Sequence, residues 1–275
     1  MNLKSVAIIG GAGKMGRWFA RFFVKEGFRV VVSGRTQSKL AKLKEDIPEI
    51  EVAEDNVAAV KDIDMVVISV LQQNFESVIR EISSYLKPRQ IIIDITSVKE
   101  SPVKLMHRYI KDCVTLGTHP VFGPSVTDCN QNFILTPTNN KEKDFAVGFK
   151  KWLEERGFRV SVMSPKKHDY LMSTVLGLSH FIGFVTCETW LDMNLKELKK
   201  VSGTSFKTLF NLVDNVVHSD PEFYSELQMS FPDVDRIEER FEFNVRKWLK
   251  IVKSKNKNRF TNEMERLRKN LDNLG

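Results

Sequence analysis

The chain has 275 residues, 42% hydrophobic and 28% charged, an ordinary globular balance that excludes disorder and allows two modest cores. Apolar runs such as Ile91-Ile-Ile93 and Val30-Val-Val32 fall far short of the ~20 residues that cross a bilayer. The amino terminus also enters a strand pattern by Lys4, so the reading predicts no membrane span, no secretory leader and a cytoplasmic protein.

Short β-branched runs alternate with amphipathic stretches from the amino end. Strands are predicted over 5–9, 29–33, 65–70, 90–95, 114–118, 133–137 and 159–163, with helices including 13–26, 36–45, 74–86 and 141–155. Near-continuous apolar strands are those covered on both faces, so a parallel sheet joined by crossover helices follows. After Ser164-Pro165 no strand pattern remains, and helical spacing runs over 168–190, 195–219, 221–229 and 234–252. In Ser219-Asp-Pro221, Asp220 is a cap and Pro221 a first helical residue. A polar turn is expected over 254–258. The expected fold class is α/β: a Rossmann-type, mostly parallel sheet domain over 1–164, then an all-helical domain over 165–275. Phe181, Phe184, Trp190, Phe206, Phe210, Phe231, Phe241 and Trp248 give that second domain more aromatic surface than it readily hides alone, which predicts a homodimer.

Cys113, Cys129 and Cys187 have no paired spacing, so neither a disulfide framework nor a metal site is expected. The formal charge of +7 comes from basic residues scattered along the chain and thickening only between Arg246 and Lys269. That distribution reads as a solvated helical face, and no nucleic-acid partner is expected.

The stretch Val6-Ala-Ile-Ile-Gly-Gly-Ala-Gly-Lys-Met-Gly16 places Gly11, Gly13 and Gly16 between a strand and a helix. In that context the glycines give a tight turn, close backbone approach to a pyrophosphate, and close helix–strand packing. Lys14 and Met15 lie at the helix start, where free N–H groups favour negative charge. The acidic residue that binds the ribose hydroxyls of NAD is missing from Ser33-Gly-Arg-Thr36. Arg35 can grip a 2′-phosphate, and Ser33 and Thr36 can donate to it, so NADP is expected over NAD.

Two further stretches lie at strand ends: Asp94-Ile-Thr-Ser-Val-Lys99 and Gly117-Thr-His-Pro-Val-Phe-Gly-Pro124. The carboxyl ends of strands in an open α/β sheet face the ligand crevice, which would gather Ser97, Lys99 and His119. Asp-x-x-Ser-Val-Lys, then His-Pro-x-Phe-Gly-Pro, behind Gly-Gly-x-Gly-x-Met-Gly, resembles the prephenate and arogenate dehydrogenases of tyrosine biosynthesis. The resemblance extends over nearly the whole chain, through His168-Asp169, Leu178-Ser-His180-Phe and Ser219-Asp-Pro221. It implies a helical second domain that forms the dimer. It makes His119 the catalytic base for the ring 4-hydroxyl, Ser97 a partner near that hydroxyl that helps hold His119, and His180 a residue facing the substrate. Lys99 either attracts a substrate carboxylate or caps the following helix.

One position departs from the pattern. The family has a carboxylate-binding arginine six residues before Pro221, where this chain has Asn215. Asparagine supplies no cation, so Lys207, a basic residue of a partner subunit, or a different substrate must account for it. The resemblance also leaves no segment here for tyrosine feedback through a carboxy-terminal regulatory domain. The expected activity is NADP-dependent oxidative decarboxylation of prephenate. The alternatives are arogenate as substrate, another hydroxyacid dehydrogenase of this architecture, and a non-catalytic NADP-binding protein.

Overall fold

The computed structural model describes residues 3–127 and 130–273, so Cys129 lies outside the described residues. Among them, eight strands form one sheet: β1 (Ser5–Ile9), β2 (Arg29–Ser33), β3 (Glu51–Val52), β4 (Met65–Ile68), β5 (Ile91–Asp94), β6 (Val114–Pro120), β7 (Asn132–Thr136) and β8 (Arg159–Val162). Their order is β3-β2-β1-β4-β5-β6-β7-β8. Every pairing is parallel except that of β6 with β7, between which the described residues carry no crossover helix.

Crossovers are made by α1 (Lys14–Lys25), α2 (Gln37–Asp46), α3 (Asn56–Ala59), α4 (Phe75–Ser83), α5 (Glu100–Tyr109) and α6 (Asn140–Glu154). Alternate strand residues enter two cores. Val6, Ile8, Val30, Val32, Met65 and Val67 pack with Phe19, Phe23, Leu40 and Phe149 of α1, α2 and α6. Ala7, Ile9, Val31, Val66 and Ile68 pack with Ala59, Ile79, Ile82 and Met106 of α3, α4 and α5. Both faces are covered, which is why the strands read as unbroken apolar runs.

The remaining helices are α7 (Pro165–Met172), α8 (Ser179–Trp190), α9 (Leu195–Lys200), α10 (Thr204–Val217), α11 (Pro221–Ser230), α12 (Val234–Lys253) and α13 (Lys257–Asp272), with a π-helical turn at Ser173–Leu178. The chain divides into two compact units. The first holds the residues up to Met172 together with His218–Phe231, and the second holds Ser173–Val217 and the residues from Pro232 onward. The sequence boundary at 164 therefore precedes the compact division by one helix, and α11 groups with the sheet. Within the second unit α8 and α10 pack closely, and a Cβ on Gly183 would lie 3.2 Å from Val216.

Several expectations change. The helix expected over 195–219 breaks at Ser202-Gly203 into α9 and α10. The turn near 254–258 is real, with Lys255 at φ 54°, but α13 follows it. No residue of α13 is buried, and its apolar spacing from Phe260 to Leu271 lies beyond the last helix expected from sequence, 234–252. The helical run Pro165–Trp190 is longer and more apolar than the short runs in the sequence suggest. Its best window has a mean hydropathy of 1.4, and by length and composition it is long and apolar enough to cross a membrane. Ser173, Thr174 and Gly177 interrupt its apolar stretches without adding charge, so no long run shows in the sequence.

Candidate active site

The glycine turn follows directly from steric limits. Gly10 has φ +79°, and a Cβ there would sit 2.2 Å from the Ser69 carbonyl oxygen. A Cβ on Gly11 would meet Val32 at 2.8 Å, and one on Gly16 would meet the Gly10 oxygen at 2.4 Å. Helix α1 starts from Gly13 with no side-chain cap and no acidic residue in its first turn, leaving its N–H groups open. This bare backbone cradle at a helix start fits a dinucleotide pyrophosphate. Lys14 is exposed beside it and Met15 half-buried.

At the end of β2, Arg35 and Thr36 are exposed, whereas Ser33 is fully buried. The Ser33 hydroxyl donates to Asn56 Oδ1 at 2.8 Å, and Asn56 Nδ2 donates to Glu81 at 2.8 Å. Its hydroxyl is thus committed inside the protein, which corrects the expectation that Ser33 donates to a 2′-phosphate.

The second set lies at the carboxyl ends of β5 and β6. Asp94 accepts from Thr96 Oγ1 at 2.6 Å and from the Lys99 ammonium, which also donates to the Thr118 carbonyl at 2.5 Å. Lys99 and Asp94 are both fully buried. Lys99 therefore ties β5 to β6 and has no surface at which to meet a substrate carboxylate, a correction to that reading. The Lys99 residue is instead the cap position of α5, and its backbone N–H donates to Asp169 Oδ1 at 2.7 Å.

His119, near the end of β6, is 4% exposed. Its Nδ1 lies 2.8 Å from His168 Nε2, and His168 Nδ1 lies 2.7 Å from Asp169 Oδ1. Asp169 Oδ2 accepts from the Glu100 backbone N–H at 2.9 Å, so this carboxylate sits at the amino end of α5. Burial first, then His168 and the Lys99 charge, hold the His119 pKa well below the usual histidine value. Burial also lowers the His168 pKa, outweighing its hydrogen bond to Asp169. Ser97 is half-buried and makes no hydrogen bond to His119, whose Nδ1 faces His168 instead.

Sequence reasoning noted His168-Asp169 only as a family element near the second domain. An adjacent His-Asp pair opening a helix was the signal, but its partner lies 49 residues away. The loop after His119 is anchored as well. Phe122 packs on Trp18 of α1 with ring centroids 4.8 Å apart, and the Trp18 indole N–H donates to the Val126 carbonyl at 2.7 Å.

The other expected residues lie in the second unit. His180 on α8 is half-buried, and burial lowers its pKa to about 4. Lys207 and Asn215 are both exposed on α10, separated along the axis by ~12 Å at the standard helical rise. Cys113 and Cys187 are free thiols. Among the described residues, no group of three His, Cys, Asp or Glu side chains could hold a metal ion.

Comparison with known proteins accords with this geometry. Residues 19–162 match the model of the prephenate dehydrogenase nucleotide-binding domain, and residues 164–266 match that of the prephenate dehydrogenase dimerization domain. A Methanocaldococcus jannaschii protein named "Probable arogenate/prephenate dehydrogenase" is 32% identical over 266 residues, 95% of this chain and 59% of its own length. The T-protein of Enterobacter agglomerans is 27% identical over 83% of this chain and 57% of its own length. The chain thus spans less than three fifths of these curated relatives. Among solved structures, the Aquifex aeolicus prephenate dehydrogenase in complex with hydroxyphenyl propionate and NAD+ superposes with a TM-score of 0.81 at 22% identity, covering 100% of this chain and 99% of that one. Synechocystis arogenate dehydrogenase gives a TM-score of 0.75 at 15% identity, covering 98% and 100%. With both halves of the chain matched in order, and with the glycine cradle and buried histidine at the strand ends where such a fold binds its ligands, this chain belongs to the prephenate dehydrogenase family.

Proposed function

We propose that the chain catalyses the NADP-dependent oxidative decarboxylation of prephenate to 4-hydroxyphenylpyruvate, in the cytoplasm and as a homodimer. The observation that carries the reading is His119: a buried imidazole held neutral at the carboxyl edge of the sheet that bears the nucleotide cradle. A neutral ring is the form that accepts a proton. His119 takes the proton of the ring 4-hydroxyl as hydride leaves the same carbon, and loss of the ring carboxylate as CO2 restores aromaticity. The bound nicotinamide, when present, accepts that hydride. Ser97 lies near the reacting hydroxyl, and the family resemblance makes His180 and Lys207 substrate-binding residues. Gly11, Gly13, Lys14, Met15 and Gly16 hold the pyrophosphate, and Arg35 with Thr36 meets the 2′-phosphate. Arogenate differs from prephenate by an amino group in place of a keto group, and no residue described here selects between them.

The exposed apolar side chains of the second unit support the dimer, but they are not the aromatic residues expected from sequence. Trp190 is buried at 9% exposure, and it stacks on Phe210 and meets Phe206 at a tilt of 32°. The surface stripe is instead Phe260, Met264, Leu267 and Leu271 on α13, joined by Phe243 and Leu249 on α12. Spacings of four, three and four residues place the α13 members on one helical face.

The test follows the near-ultraviolet absorbance of reduced nicotinamide with purified protein, supplying prephenate or arogenate with NADP+ or NAD+ in turn. Turnover on prephenate that is faster with NADP+ is the expected result. Preference for arogenate would change the substrate alone. Silence on both acids with NADP still bound would favour another hydroxyacid dehydrogenase or a non-catalytic nucleotide-binding protein.

A further inference from the structure

We infer that His168 and Asp169 are positioning residues that hold His119 in the tautomer whose Nε2 carries the lone pair. The chain of hydrogen bonds has one consistent direction. Asp169 accepts two backbone N–H groups, from Lys99 at 2.7 Å and Glu100 at 2.9 Å, and it stands at the amino end of a ten-residue helix. Both of its oxygens thus act as acceptors. His168 Nδ1 therefore donates to Asp169, at 2.7 Å.

A neutral His168 then has its lone pair on Nε2. The only hydrogen left to place between the two rings is on His119 Nδ1, which donates to His168 Nε2 across 2.8 Å. His119 Nε2 is left as the basic nitrogen. If His168 instead carried a proton on both nitrogens, it would donate to His119 Nδ1 and force the hydrogen of His119 onto Nε2, the wrong form for a base. Burial and the neighbouring Lys99 charge oppose that state. The same bonds fix the ring plane, because a histidine held at one nitrogen by a buried and anchored partner cannot flip without breaking that bond. Asp169 thereby joins two tasks: it caps α5, which follows the Ser97–Lys99 loop, and it orients the base through His168.

This inference rests on the proposed function for its kinetic arm only, since the tautomer is measurable without turnover. The chain has five histidines, so nitrogen-15 labelling of histidine gives a spectrum in which each ring is assignable by substitution. In the wild-type protein near neutral pH, His119 and His168 should both appear as the Nδ1–H form. His168→Leu should move His119 toward the Nε2–H form. It should also lower kcat roughly 10–10²-fold, with the KM for substrate and cofactor within about threefold. His168→Gln, whose amide oxygen can still accept from His119, should recover part of the lost kcat. It also carries the test if the leucine variant does not fold. His119 protonated on Nε2 in the wild type would overturn the inference, as would a His168 variant with unchanged tautomer and unchanged kcat. A wild-type protein that turns over no cyclohexadienyl acid would instead refute the proposed function, leaving the tautomer measurement to decide the positioning role.

Discussion

His119 has almost no contact with solvent, and every charged or ionisable neighbour that shifts it does so against protonation. Replacing it with asparagine should cut kcat by on the order of 10²–10⁴, the usual worth of a general base, with little change in NADP affinity. A rate near wild type would remove His119 from the chemistry. Lys99 makes the opposite kind of prediction. Lys99→Met would leave Asp94 charged and buried, and Asp94 Oδ2 already has no hydrogen-bond partner among the described residues. The loss of one partner from a buried pair should cost about 3–5 kcal/mol, read as a lower denaturant midpoint. Arg35→Ala, at an exposed position, should leave stability alone and weaken NADP more than NAD. Equal weakening would remove Arg35 from the 2′-phosphate site. The placement of the glycines, His119 and Arg35 at strand ends was legible because each lies in a local motif beside a strand. The commitment of the Ser33 hydroxyl, and the choice between the two readings of Lys99, were not legible because a side chain's burial and its partner, Asn56 or Asp94, depend on the packing of neighbouring strands.

At the scale of elements, the nucleotide cradle and the histidine loop share one support. Helix α1 begins at the cradle, and four residues into it Trp18 both packs on Phe122 and donates to the Val126 carbonyl. Trp18→Ala should destabilise the fold by about 3 kcal/mol, the low end for a large aromatic lost to alanine since this ring is only half-buried. It should also lower kcat more than cofactor affinity, because the glycine turn keeps its own hydrogen bonds, Gly10 and Gly11 N–H to the Ser33 carbonyl. A kcat unchanged by the loss of this anchor would show that the loop holds His119 without it. Strand β3 escaped sequence reading because two residues carry no periodicity, whereas the helix expected after Lys99 forms as α5, with Asp169 accepting from the N–H groups at its start.

For the whole molecule, proton uptake sets the acid limit. His119, His168 and His180 are all held below the ordinary histidine value in the folded state. An unfolded chain would bind protons at about pH 6.5 that the folded chain refuses, so stability should fall as pH drops through that value. Glu142 adds a second loss lower down. It is buried and held below the carboxylate range by His107, Thr138 and Thr115, so its contribution disappears as it protonates. The thermal midpoint should therefore be steady above about pH 7.5 and decline progressively below 6.5. A midpoint independent of pH between 5 and 7 would show that the three rings titrate as freely as in the unfolded chain. Leu267→Asp, in the exposed stripe of α13, should turn a dimeric mass into a monomeric one with the sheet unit intact. A dimer that survives it would place the interface elsewhere.

The positions of seven of the eight strands, the glycine cradle, the switch to an all-helical second half and the place of the histidine loop at a strand end were determined by sequence alone. Each is written in contiguous residues whose apolar spacing or backbone freedom permits few structures. What only the tertiary structure decided is which buried polar groups meet. The reversal of β7, the return of α7 and α11 to the sheet unit, and the Asp169–His168–His119 chain all join residues far apart in sequence. Their energies come from desolvation and hydrogen-bond direction, which exist only once both partners have been taken out of water.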